Sequence, residues 1–158
     1  MEDLYDYAFL YELAETFVVL DADIFFTNHS ITFESLMDED HDFYITEDVN
    51  GLNVGAMIFR ASAWCEKVVT MILDQRKRFD GEQQAIRAII PQFMDRTKIL
   101  PQSSMNSYLN SRYPESVNRK EGNWAPRDLL LHLPALPFAE RVKIFTDLRS
   151  ALATQEAA

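Results

Sequence analysis

The chain has one cysteine, Cys65, which excludes an internal disulfide and any cysteine-cluster metal site. Glycine and proline are sparse, 4 and 6 residues in 158, so collagen-like and low-complexity architectures are excluded as well. No run reaches the roughly 18 consecutive apolar residues of a membrane-spanning helix. Met1 is not followed by the basic-then-apolar pattern of a signal peptide. Basic side chains are outnumbered: 15 Lys and Arg against 25 Asp and Glu give a formal net charge of −10. That acidity argues against nucleic-acid phosphates or an anionic membrane surface as the main partner. What is plentiful is apolar. With 47% hydrophobic and 12% aromatic residues, and no linker or internal repeat, residues 1–158 read as one domain with a real core.

Local patterning alternates strands with helices. Glu2 to Glu15 has helical spacing, with Leu4, Ala8 and Tyr11 on one face. Thr16 to Leu20 is a continuous apolar run of β-favouring residues, the pattern of a strand buried on both faces of a sheet. It ends in Asp21-Ala22-Asp23, then Ile24-Phe25-Phe26. Ser30 to His41 reads as helix and loop, and Asp42 to Thr46 as a strand. After the Asn50-Gly51 turn signal comes a strand from Val54 to Phe59 with Gly55 inside it. Ser62 suits the N-cap of a helix through Trp64, Val68 and Ile72, with Phe59 and Trp64 in the core. A second helix runs from near Asp80 to Pro91, with Asp80 and Gln83 spaced as a capping box. Lys98 to Leu100 and Leu129 to Leu133 are further strands, separated by a polar, irregular stretch. A helix from Phe138 to about Ala153 follows. The order implies an α/β fold.

Two carboxylates at i and i+2 after a core strand can converge on one hard divalent cation such as Mn²⁺ or Mg²⁺. Asp21 and Asp23 fit, and their place at a strand's carboxyl end is where α/β sheets put ligand sites. The same spacing recurs in Asp38-Glu39-Asp40 and Asp40-His41-Asp42, but in a polar stretch that reads as solvated surface. A calcium loop there fails, because Phe43 stands at the glycine position and Val49 at the twelfth. Phosphatases of the haloacid dehalogenase type also begin with a strand and Asp-x-Asp. They want Thr or Val where this chain has Phe25, and a later Gly-Asp-x-x-x-Asp that the sequence lacks. From the residues alone, Asp21 and Asp23 also fit a strand-end turn, and His132, set between leucines, also fits a core histidine.

Five further segments, in order, carry a resemblance. They are Leu20-Asp21-Ala22-Asp23, the stretch from Thr46 to Arg60 with Asn50-Gly51-Leu52-Asn53-Val54-Gly55, Gly81-Glu82-Gln83-Gln84-Ala85, Pro101-Gln102 with Asn106-Ser107-Tyr108, and His132. Together they resemble a family of Golgi glycosyltransferases that includes fungal α-galactosyltransferases, mannan-polymerase α-mannosyltransferase subunits and plant xyloglucan xylosyltransferases. The resemblance covers about residues 16 to 147. It implies a GT-A-like fold, a UDP- or GDP-sugar donor, a glycan acceptor, and Mn²⁺ or Mg²⁺. It further implies Asp21, Asp23 and His132 as metal ligands, with Asp21, Asp23, Asn53 and Gly55 against the donor. Glu82 and Gln83 would line the reacting centre, in a transfer that retains the anomeric configuration. Golgi membrane or lumen is the implied location.

The sequence departs from the family at three places, the mildest being Val49 where the family has an aromatic after the acidic pair. The family follows its late histidine with glycine, whereas His132-Leu133-Pro134-Ala135 has alanine. GT-A enzymes also place a nucleotide-binding half of roughly 100 residues before the Asp-x-Asp strand, and twenty residues precede Asp21 here. The expectation is therefore an incomplete GT-A-like domain lacking most of that half. It is either a transferase or a non-catalytic remnant or accessory subunit docking on another transferase.

Overall fold

The computed structural model describes residues 14–79, 81–114, 118 and 120–156. The helix expected from Glu2 to Glu15 falls almost wholly outside them. Strands β1 (Thr16–Leu20), β2 (Ile24–Phe26), β3 (Phe43–Asp48) and β4 (Gly51–Arg60) come first. Helices α1 (Ala63–Arg76) and α2 (Glu82–Ile89) follow, then β5 (Thr97–Leu100) and a single helical turn, α3 (Gln102–Met105). Strands β6 (Ser107–Tyr108) and β7 (Leu130–His132) precede helix α4 (Phe138–Glu156). Where helix and loop were expected after β2, one 3₁₀ turn forms at Glu34–Leu36.

The strands make two sheets. The larger has the order β1-β4-β3-β5, with β4 antiparallel to both β1 and β3, and β5 parallel to β3. The smaller has the order β2-β7-β6, with β7 antiparallel to β2 and parallel to β6. The α/β expectation therefore holds, but the role assigned to β1 does not. Among the described residues β1 pairs only with β4, and of its five residues only Phe17 is buried. The strand buried on both faces is β3, whose Phe43, Tyr44 and Ile45 are all 0% exposed. An apolar run reports an apolar environment, which an edge strand under helices also has.

Alternation along β3 and β4 divides the core. Phe43, Ile45, Met57 and Phe59 face α1 and α2, meeting Val68, Ile72, Ile86 and Ile89. Tyr44, Ala56 and Ile58 face the smaller sheet and pack with Met105, Leu129 and Leu130. Ser62 caps α1 as expected, its side chain accepting from the Cys65 N–H. For α2 the N-cap is Gly81, which replaces the expected capping box, and Asp80 is outside the described residues.

The β3–β4 hairpin contains the feature that shapes the site. Asp48 pairs with Gly51 across a two-residue turn, and Gly51 takes φ +94°, a conformation glycine tolerates. Further along, Thr46 pairs with Asn53 but Ile45 pairs with Met57. Val54, Gly55 and Ala56 are thus extra on β4, a bulge that bends the strand and re-aims its side chains.

Candidate active site

Asp21-Ala22-Asp23 is the segment where the chain leaves the larger sheet at β1 and enters the smaller one at β2. Backbone bonds pin it at both ends. The Asp21 N–H donates to the Gly55 carbonyl at 2.8 Å, and the Leu133 N–H donates to the Asp23 carbonyl at 3.0 Å. The β2–β7 register sets Ile24 opposite His132, so the histidine arrives beside the two aspartates. Its Nε2 lies 3.2 Å from Asp23 Oδ1 and 3.6 Å from Asp21 Oδ2. One ligand atom from each residue lies within 4.8 Å of the others, and among the described residues this is the one group of three or more His, Cys, Asp or Glu so placed.

His132 is 1% exposed. Burial holds its imidazolium below the ordinary histidine range, against the opposing pull of Asp23. Its other nitrogen, Nδ1, is 2.7 Å from Asn106 Oδ1, and Tyr108 packs edge-on to the ring at 5.7 Å between centroids. Gly55 lies directly against the ring. A Cβ built there would overlap His132 Cε1 and stand 2.8 Å from Nδ1, so the bulge brings bare backbone to the imidazole. Asn53 is buried, donating to Asp48 Oδ2 and Tyr108 Oη and accepting from the Gly55 N–H at 2.8 Å.

Two neighbours complete the electrostatics. Arg141 of α4 donates to Asp23 Oδ2 at 2.8 Å, leaving Oδ1 toward His132. Its Nε is buried and has no hydrogen-bond partner among the described residues. Asp21 is the exposed member of the group. Its carboxyl is pushed above the ordinary aspartate range by lost hydration, then by the charges of Asp23 and Glu82. Glu82, in the first turn of α2, shares with Asp21 a cleft of about 260 Å³ whose walls include Phe17, Val19, Val54 and Val69. Gln83 is half-buried in the same turn. Asp21 is the one cluster member lining this cleft, so the cleft adjoins the three ligand groups without containing them.

The donor set suits a hard or borderline divalent ion. An ion holding ligands at about 2.1 Å in octahedral geometry keeps neighbouring donors roughly 3 Å apart, close to the spacings found here. Two carboxylates and a neutral imidazole are a set that Mn²⁺ or Mg²⁺ accepts. Ala135 adds a structural echo: it takes φ +61°, the left-handed region that favours glycine, three residues after His132. The other acidic cluster is only in part the solvated surface expected, with Asp40 exposed. Asp42 is fully buried and paired with Arg96 at 2.5 Å, while Asp38 binds Lys98 and His41.

The two-sheet α/β scaffold thus carries paired aspartates at the crossover and a histidine opposite them. Comparison with known proteins gives the class. Residues 12–137 match the family model described as the galactosyl transferase GMA12/MNN10 family, and the chain belongs to that family. A solved glycosyltransferase involved in the glycosylation of the major capsid of PBCV-1 has the same fold, with a TM-score of 0.69 at 15% identity. The match covers 92% of this chain and 74% of that one. No curated protein compared with the sequence matches it. The haloacid dehalogenase reading gives way to the transferase family. Arg141, and the links running from Asp48 to His132, were missed by sequence reasoning. Asn106 and Tyr108 stood in a quoted segment without a role, and Arg141 carried no local signal at all.

Proposed function

We propose that this chain, as one domain of GT-A type, transfers a hexosyl or pentosyl group from a UDP- or GDP-sugar to a glycan acceptor with retention of configuration. The observation that carries the reading is the meeting of Asp21, Asp23 and His132 at the crossover between the sheets. With His132 neutral, the two aspartates and Arg141 sum to one negative charge. A divalent ion, Mn²⁺ or Mg²⁺, held by these ligands would supply Lewis-acid charge to a departing nucleoside diphosphate. Arg141 holds Asp23 in place, and Gly55 keeps bare backbone at the site. Asn53 braces that backbone from behind, and both residues are assigned to the donor side. Glu82, on the rim beside Asp21, orients the reacting sugar or stabilises its positive charge, and Gln83 lines the same centre. A Golgi location follows from the family. Among the described residues no helix is long and apolar enough to cross a membrane.

A second reading is an accessory subunit of a transferase complex, favoured by the single partner that β1 has among the described residues. Calorimetric titration with UDP and GDP, with and without Mn²⁺, separates the two. The transferase reading expects metal-dependent nucleotide binding that Asp23→Ala abolishes. A folded wild-type chain that binds neither nucleotide would leave the accessory reading.

A further inference from the structure

We propose that Asp48, through Tyr108 and Asn106, fixes the tautomer of His132 so that its Nε2 lone pair faces Asp21 and Asp23. The proposal deepens the reading of His132 as a metal ligand and rests on it for its functional meaning. Asp48 is 4% exposed and is not itself one of the three ligand groups. Its Oδ1 accepts from the Asn50 N–H at 2.6 Å, and its Oδ2 accepts from Asn53 Nδ2 at 3.0 Å and the Tyr108 hydroxyl at 2.9 Å.

The polarity of the chain of bonds follows from donor inventory. A carboxylate only accepts, and a tyrosine hydroxyl has one proton to give. Tyr108 gives that proton to Asp48, so its oxygen must accept from everything else around it. It accepts from Asn53 Nδ2 at 3.0 Å and from Asn106 Nδ2 at 3.4 Å. With its amino group so directed, Asn106 is left presenting Oδ1 to His132 Nδ1, at 2.7 Å. An oxygen there demands Nδ1–H. A neutral imidazole has one ring proton, so Nε2 carries the lone pair. That lone pair points into a gap bounded by Asp23 Oδ1 at 3.2 Å and Asp21 Oδ2 at 3.6 Å. Three acceptor atoms converge with no proton among them, an arrangement that a cation completes. Asn106 is wholly buried and Tyr108 is 3% exposed, so water offers neither an alternative partner. Asp48, Tyr108 and Asn106 are positioning residues, acting on the ligand through its far side.

The test reads the proton directly. The protein has three histidines. With His29 and His41 replaced by glutamine and ¹⁵N-labelled histidine incorporated, two-bond ¹H–¹⁵N spectra near pH 8, where imidazole is neutral, report the tautomer of His132. The expected result is the Nδ1–H form in the metal-free protein. Asn106→Leu is expected to release that preference and to weaken Mn²⁺ binding, measured calorimetrically, about 10–100-fold. Tyr108→Phe serves as the milder variant, with a smaller effect in the same direction. Finding Nε2–H in the protein with Asp48, Tyr108 and Asn106 intact would overturn the proposal without any mutation of the network. So would unchanged tautomer and unchanged Mn²⁺ affinity in both variants. If His132 shows Nδ1–H but the wild-type chain binds no Mn²⁺, the relay stands and the metal reading falls.

Discussion

Ala135 holds a backbone conformation that suits glycine while carrying a methyl group. At φ +61° an L-residue with a Cβ is less stable than in its ordinary regions by about 1–2 kcal/mol. Glycine there would avoid that cost but lose about 0.5–1 kcal/mol to the greater freedom of its unfolded chain. The balance favours glycine. Ala135→Gly is expected to stabilise the protein by roughly 0.5–1 kcal/mol, read as a higher urea midpoint at unchanged slope. No gain, or a loss, would mean that the alanine methyl makes packing contacts worth more than the strain. Gly55 is the opposite case, since its Cβ would collide with His132 rather than strain the backbone. Its requirement comes from the neighbouring ring, and a sequence carries no sign of that. Arg141 is similar, meeting Asp23 across 118 positions of chain.

At the scale of elements, the loop between β2 and β3 is held by its ends. Tyr44 on β3 bonds Asp38 and His41 of the loop through its hydroxyl, and Arg60 on β4 donates to their carbonyls. Lys98 on β5 reaches Asp38 Oδ2 at 2.7 Å. The bond from Lys98, then that from His41, holds the Asp38 carboxyl well below its ordinary 3.8. A lowered folded-state pKa means the unfolded chain binds the proton more readily. The stabilisation is therefore complete above the unfolded value and lost as pH falls through the folded one. Asp38→Asn is expected to lower Tm near pH 7, with the difference from wild type shrinking once pH drops below about 4. A gap of constant size down to the acid transition would show that the ion pairs contribute nothing. The strands bordering this loop were legible from their apolar runs. Their sheet order was not, because TFVVL in β1 describes surroundings and not neighbours. The bulge at Val54–Ala56 was hidden too, since its three extra residues appear only in the register of β4 with β3.

For the whole molecule, the decisive feature is that the ligand groups span both sheets. Asp21 directly follows the last paired residue of β1 in the larger sheet, while His132 belongs to the smaller one, and the two sheets otherwise meet through apolar packing and through the bonds of Tyr108 with Asp48 and Asn53. The carboxylate pair was readable in the sequence as two acids after a core strand. The histidine was readable only through resemblance, because nothing local distinguishes His132 from a buried core residue. An ion bound by all three would tie the sheets together in the native state alone, since in the unfolded chain His132 lies more than a hundred positions from either aspartate. Binding to the native state alone stabilises by about 2.7 kcal/mol at a hundred times the dissociation constant. For a domain of this size that corresponds to a rise in Tm of roughly 5–10 °C. The expected result is a melting temperature that climbs with Mn²⁺ concentration in the wild-type chain and stays flat in His132→Ala. A rise of equal size in His132→Ala would place the ion elsewhere. No rise in the wild type at millimolar Mn²⁺ would mean that Arg141 alone satisfies Asp23, leaving the aspartates and histidine as a structural joint between the sheets.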